Sequence, residues 1–347
     1  MAWARTWDSN GEETPEVKRR ILVTGAAGFI GSHTVEAFLE RGDAVLALDN
    51  FDAYYEPARK HANLAQLRAR PESARLDFVE GDVRDHALLG RLFLEWRPEV
   101  VVHLAAVAGV RASILQPQLY FDVNVNGTLA VLEAAKEHHV RHVVLASTSS
   151  VYGNSIRLPF VEDDAADRPL APYAASKRAA EMLGHSYHHL FGLHFTALRF
   201  FTVYGPRNRP DMMAYKVLDS IFTGQQLPLY EGGQMYRDWT YVSDTVAGVV
   251  AAADRPLGFQ VINLGRGEPI LLLDFVRRIE ELAGRRAAFF SQPKLDSDAS
   301  ATHADIGKAR QLLGYAPQVG FNEGVARFCA WYARQGSGLP ERAKRSA

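Results

Sequence analysis

The chain carries one cysteine, Cys329, among 347 residues. A single thiol excludes an intramolecular disulfide, and with it the small stapled domains of secreted proteins. Cys329 lies in the apolar run Phe-Cys-Ala-Trp-Tyr and reads as a core residue, so a reduced, cytoplasmic protein is expected. Neither sign of charge dominates: 39 Lys plus Arg face 40 Asp plus Glu, a formal net charge of −1. No global field draws the chain to nucleic acid or to a membrane surface. No apolar run approaches the roughly 20 residues of a membrane helix. Residues 1–18 lack the apolar centre of a signal peptide, and they and 335–347 read as loose tails. Repeats and low-complexity blocks are missing, and no metal site is expected. What remains is a chain 47% hydrophobic and 23% charged, able to bury a large core.

Short apolar runs alternate with longer amphipathic ones. Strands are predicted at 21–24, 44–48, 76–80, 100–104, 142–147 and 195–198, with helices at 31–41, 87–95, 125–138 and 174–191. Strands apolar on both faces and separated by helices imply an α/β fold, a doubly wound and mostly parallel sheet of the Rossmann kind. A later strand at 260–263 is expected to join it. Between 201 and 239 the composition shifts to Pro, Gly, Arg and Asp, and 266–334 mixes short helices with loops. Residues 19–200 and 240–265 are therefore expected to form the sheet domain. Residues 201–239 and 266–334 would form a smaller, discontinuous α/β lobe over the carboxyl ends of the strands, where open sheets place ligands.

The first strand runs into Gly25-x-x-Gly28-x-x-Gly31. Gly25 suits a tight turn, Gly28 close approach of a pyrophosphate, and Gly31 close helix packing, with the helix N-terminus facing the phosphates. The triplet follows a strand and opens a helix, as a dinucleotide cradle requires. Asp49 ends the second strand. A carboxylate there accepts from a ribose 2′-hydroxyl and repels a 2′-phosphate, which favours NAD over NADP. Alone it would read as a turn cap. Asp82 follows the third strand within reach of an adenine, and Leu104-Ala105-Ala106 ends the fourth with small residues.

The fifth strand enters a hydroxyl cluster, Ser147-Thr148-Ser149-Ser150. Tyr173 follows 25 residues after Thr148, and Lys177 lies one helical turn further on the same face. A free tyrosine titrates near 10 and is a poor base at neutral pH. An adjacent ammonium and a positive nicotinamide ring would favour the phenolate and fit it for proton transfer.

Together, the glycine turn, Asp49, the Thr148 cluster and Tyr173-x-x-x-Lys177 resemble the extended short-chain dehydrogenase/reductase superfamily, over about residues 19–334. The resemblance implies Tyr173 as general base and acid, Lys177 on the nicotinamide ribose, and Thr148 orienting the reacting hydroxyl. The cofactor set it implies comprises Gly25, Gly28, Phe29, Ile30, Gly31, Asp49, Asn50, Asp82, Val83, Leu104, Ala105, Ala106, Asn124, Tyr173, Lys177 and Phe200. Sugar 4,6-dehydratases carry Asp-Glu after the threonine, and decarboxylases of the UDP-xylose type tend to carry Glu. Ser149 and Ser150 stand here instead, which favours a 4-epimerase. The run Arg-Phe-Phe-Thr-Val-Tyr-Gly-Pro-Arg-Asn-Arg-Pro-Asp-Met at 199–212, with Ala108 to Ser113 and Tyr236-Arg237-Asp238, resembles UDP-glucuronate 4-epimerases.

That likeness implies Arg111 and Arg237 on the diphosphate and Tyr230 against the uracil. Thr148, Ser149, Ser150, Thr202 and Arg209 would then hold the C6 carboxylate. No contact is assigned to the loop 292–298, which departs from the family pattern. NAD would be bound tightly and regenerated each turnover, and a homodimer through the helices after Gly127 and around Tyr173 is implied. Alternatives at this point are a UDP-glucose or broader UDP-sugar 4-epimerase, a decarboxylase, and a non-catalytic scaffold that senses the cofactor.

Overall fold

In the computed structural model residues 17–335 are described, so the expected tails lie almost wholly outside the described residues. Six strands come in chain order: β1 (Arg20–Thr24), β2 (Ala44–Asp49), β3 (Leu76–Glu80), β4 (Val100–His103), β5 (His142–Thr148) and β6 (His194–Phe200). Three more, β7 (Thr202–Tyr204), β8 (Leu227–Tyr230) and β9 (Tyr236–Tyr241), leave this series before β10 (Phe259–Leu264) returns to the sheet edge beside β6. Every predicted strand is present, extended by up to two residues at an end or, at β4, one residue shorter.

The central sheet is fully parallel, in the order β10-β6-β5-β4-β1-β2-β3. Alternating side chains fill both faces, which is why these strands read as unbroken apolar runs. Ile21, Val23, Val102, Val144 and Leu198 face one core, and Leu22, Val101, Val143, Leu145 and Ala197 face the other. The chain leaves β1 towards β2 and β3 and then crosses back to β4, so the strand order reverses between β1 and β4. The crevice beyond their carboxyl ends is the place for a ligand.

One helix differs from its expected form. The turn Asp122–Asn126 is wound as a wide π-turn, and the regular helix runs only over Gly127–Glu137. Asn124 explains the distortion. Its buried amide accepts from the Val107 N–H at 2.9 Å and donates to the Val107 carbonyl and the Ser176 hydroxyl, both at 3.0 Å.

In the remaining chain, β11 (Pro269–Leu271) pairs with β9, and β9 with β7, while β12 (Phe289–Gln292) pairs with β8. The joint expected between 239 and 240 thus falls inside β9. Helices at Met213–Thr223, Leu272–Ala283 and Phe321–Gln335 pack around these small sheets. Trp239 stacks on Phe275 at 4.0 Å between ring centres, tying β9 to one of those helices.

Candidate active site

A cavity of about 660 Å³ opens at the reversal point of the sheet. Its floor is the glycine turn. Gly25 sits at φ +67°, and a Cβ there would lie 2.7 Å from the Ala105 nitrogen. At Gly31 a Cβ would come within 2.0 Å of the Gly25 carbonyl oxygen. The spacing of the triplet therefore records close backbone approach, and the cradle fits a dinucleotide pyrophosphate at the start of the helix Phe29–Arg41. Phe29, Ile30, Asn50, Val83, Leu104, Ala105, Ala106 and Phe200 line the same cavity.

Asp49 fills one of the two roles weighed for it. Its Oδ2 accepts from the Ala27 N–H and its Oδ1 from the Phe51 N–H, each at 2.9 Å, so it caps the glycine turn. Each oxygen keeps a second lone pair for a ribose hydroxyl. Asp82 accepts from Arg84 at 2.8–2.9 Å and from the Asn50 amide at 2.9 Å. The Arg84 hydrogen bonds hold its carboxyl down at about 2 despite partial burial.

Tyr173 begins the helix Pro172–Phe191, whose first position is the proline that favours helix starts. Thr148 stands beside the phenol and favours its ionised form, and Thr148 and Ser150 are linked hydroxyl to hydroxyl at 3.1 Å. The protein groups around the phenol do not by themselves lower it. Burial pushes Tyr173 up, Arg209 and Thr148 draw it back, and Asp211 opposes them. Burial likewise pushes the Lys177 ammonium down to about 8, with the Glu181 carboxylate resisting. Glu181 escaped the sequence reading although it follows Lys177 by one turn. It is fully buried, gripped by Arg199 at 2.8 and 3.0 Å and by the Ser147 hydroxyl at 2.5 Å.

Arg111, Ser149, Ser150, Thr202 and Arg209 line the other end of the cavity. Three residues expected in the site do not. Asn124 stands behind the wall with its amide used by Val107 and Ser176. Tyr230 lies beneath Arg111, whose guanidinium stacks 3.9 Å from its ring centre. Arg237 donates to the carbonyls of Tyr236 and Ala299 at 2.8 and 2.9 Å. Each of these side chains is occupied within the protein. Conversely, Asp298, in the loop given no role, lines the cavity and accepts from Arg111 at 2.7 Å. Tyr54, Lys60, Asp211 and Lys216, given no site role by the sequence, also line it. Asp211 was quoted in the Arg-Pro-Asp-Met run, but nothing in a linear pattern says that it would fold back onto Arg209. Among the described residues no cluster of three metal-ligating side chains occurs, and no helix is long and apolar enough to cross a membrane.

A sequence profile of the NAD dependent epimerase/dehydratase family matches residues 21–265. A UDP-glucuronate 4-epimerase of Thermodesulfobacterium geofontis is 40% identical over 311 residues, covering 89% of this chain and 95% of that protein. UDP-glucuronate 4-epimerase 3 of Arabidopsis thaliana is 39% identical over 349 residues, covering 94% and 80%. The crystal structure of the UDP-glucuronic acid 4-epimerase of Bacillus cereus, in complex with UDP-glucuronic acid and NAD, superposes with a TM-score of 0.85 at 34% identity, covering 91% and 99%. The reversal-point cradle and the Tyr173–Lys177 helix are thus parts of a shared scaffold, and the chain belongs to the NAD-dependent epimerase/dehydratase family of extended short-chain dehydrogenases/reductases.

Proposed function

We propose that this chain interconverts UDP-glucuronate and UDP-galacturonate by inverting C4 of the sugar through a 4-keto intermediate. The observation that carries the reading is the lining beside Tyr173. Thr148, Ser149, Ser150, Thr202 and Arg209 share one cavity with the phenol, and no carboxylate follows Thr148 to drive elimination. The chemistry that NAD supplies when bound at the glycine turn is reversible hydride exchange at C4, so no external redox partner is consumed.

Tyr173 takes the proton of the 4-hydroxyl and returns it on the opposite face after the sugar has turned over. Burial raises the phenol, so its ionisation depends on the groups that draw it back, Arg209 first and then Thr148, with Lys177 one turn along the helix. Thr148 orients the hydroxyl that reacts. Arg111, with Tyr230 beneath it and Arg237 beyond, anchors the UDP while the sugar swings. The intermediate is a β-keto acid, and the hydroxyl cluster with Arg209 holds its carboxylate out of line with the carbonyl, which protects it from losing CO₂.

Residues 19–200 with 240–265 would then serve the cofactor, and 201–239 with 266–334 the nucleotide sugar. A homodimer is supported by the exposed Met182, Leu190 and Phe191 on the Tyr173 helix. A cytoplasmic setting is supported by the lone Cys329, whose thiol burial pushes up to about 11.

The test is incubation of the purified protein with UDP-glucuronate, without added NAD, and product identification by NMR. UDP-galacturonate is expected. A UDP-pentose product, or no conversion even with NAD supplied, would overturn the reading. Tyr173→Phe should lower turnover by about 10²–10⁴-fold while retaining NAD.

A further inference from the structure

The carboxylate of Asp211 lines this cavity, and the proposed chemistry leaves it unused. Arg209, expected to meet a sugar carboxylate, already holds one. Its Nε donates to Asp211 Oδ1 at 2.9 Å and its Nη2 to Oδ2 at 3.0 Å. The Tyr54 hydroxyl donates to the same Oδ2 at 3.1 Å, and Nη2 also reaches the Met212 sulfur at 3.5 Å. Burial alone would raise the Asp211 carboxyl, but the guanidinium outweighs it and holds it below the ordinary carboxylate value. The cavity wall therefore carries a neutral ion pair in place of a free cation. Among the described residues, Arg209 Nη1 makes no hydrogen bond, so one edge of the fork remains for a ligand.

We propose that Asp211, steadied by Tyr54, is a positioning residue that tempers how tightly this subsite grips a uronate. It fixes the Nε–Nη2 edge of Arg209, turns the Nη1 edge to the C6 carboxylate of a uronate, and offsets the charge of that guanidinium. The inference rests on the UDP-glucuronate reading. A guanidinium already paired with a carboxylate grips the sugar carboxylate chiefly through directed hydrogen bonds and less through its own positive field. Such a site can let go of the carboxylate while the keto sugar swings, and it orients the group without binding it indiscriminately.

The test compares dissociation constants of UDP-glucuronate, UDP-glucose and UDP for the parent, Asp211→Asn and Tyr54→Phe, at low and high salt, by calorimetry. Asp211→Asn removes a like charge from beside the uronate and leaves Arg209 unpaired. It should tighten UDP-glucuronate by roughly tenfold at low salt, an advantage that salt erodes, and leave UDP-glucose and UDP within about twofold. Tyr54→Phe, which loosens only one bond to Asp211, should move the UDP-glucuronate to UDP-glucose ratio the same way by a few-fold, and it carries the test should the first variant not fold. Equal shifts for all three ligands, or none for UDP-glucuronate, would overturn the proposal. Because affinity needs no turnover, the underlying reading is scored separately. A parent that converts UDP-glucose and not UDP-glucuronate sinks that reading, whatever the variants bind.

Discussion

Along the glycine turn the cavity wall is backbone, while beside Arg111 and Arg209 it is charged side chain. The first end is set by φ at Gly25 and by the approach of Gly31 to the Gly25 carbonyl, with Asp49 capping the turn through two backbone N–H groups. Nothing there can move without shifting β1 or the helix behind it. The second end comes from separate stretches of chain, and its two arginines are already paired: Arg209 with Asp211, Arg111 with Asp298. A preformed cradle holds a cofactor through many turnovers. Exchangeable ion pairs suit a substrate that must enter, swing and leave. That difference is what a dinucleotide-retaining epimerase needs from one cavity.

The sharpest way to break the comparison is Gly31→Ala. A methyl group 2.0 Å from a carbonyl oxygen has no room, and overpacking of this kind costs roughly 1–3 kcal/mol or more. The purified variant should lack bound nucleotide by absorbance and show no turnover, with a lower unfolding midpoint. A variant that kept its cofactor would mean that the turn is softer than its geometry implies.

The two ends also differ in how far the sequence revealed them. The glycine spacing, Asp49 after the second strand and Tyr173 one turn before Lys177 are local patterns, and local patterns survive folding. All seven strands of the central sheet were legible for the same reason, since burial on both faces leaves an unbroken apolar run. The substrate end depends on contacts far apart in sequence. Arg111 meets Asp298 across 187 residues and Tyr54 meets Asp211 across 157, and neither pairing has a linear signature. Tyr230 and Arg237 were placed by resemblance and lie one layer behind the wall, because Arg111 covers the one and backbone carbonyls hold the other. Asn124 was read as a cofactor residue, and its amide is held by the Val107 backbone and by Ser176, the neighbour of Lys177.

A milder change at the second end should leave the first intact. Arg111→Ala removes the guanidinium that stacks on Tyr230 and frees Asp298 in the cavity. Hydrogen bonds to charged groups contribute about 1.5–3 kcal/mol. KM for the UDP-sugar should therefore rise roughly 10- to 100-fold, with kcat changed little and nucleotide content equal to the parent. Loss of bound NAD in this variant would show that the two ends are not separable.

The smallest expected effect concerns the seam where they meet. His33, on the helix that opens from the glycine turn, lies 3.0 Å from the Pro206 carbonyl, next to Arg207, which pairs with Glu36 at 2.9 Å. A carbonyl only accepts, so Nε2 carries a proton. Burial first, and Arg207 second, hold its pKa at about 4 instead of 6.5. Above pH 6.5 the imidazole is neutral in both folded and unfolded chains and stability is unaffected. Below 6.5 the unfolded chain takes a proton that the folded one refuses, so stability falls as the pH drops towards 4 and then levels. Between pH 7.5 and 5.5 this loss is about 1.4 kcal/mol for one such group. His103 and His142, also held neutral by burial at about 3 and about 4, add to the fall in the whole protein, so the contribution of the seam must be read by difference. His33→Gln keeps an N–H for Pro206 and cannot titrate. Its urea unfolding free energy should drop by about 1.4 kcal/mol less than the parent's over that interval. An equal drop would mean that water reaches the seam before the ring is protonated, and that the backbone-built end and the side-chain-built end are joined more loosely there than the hydrogen bond to Pro206 implies.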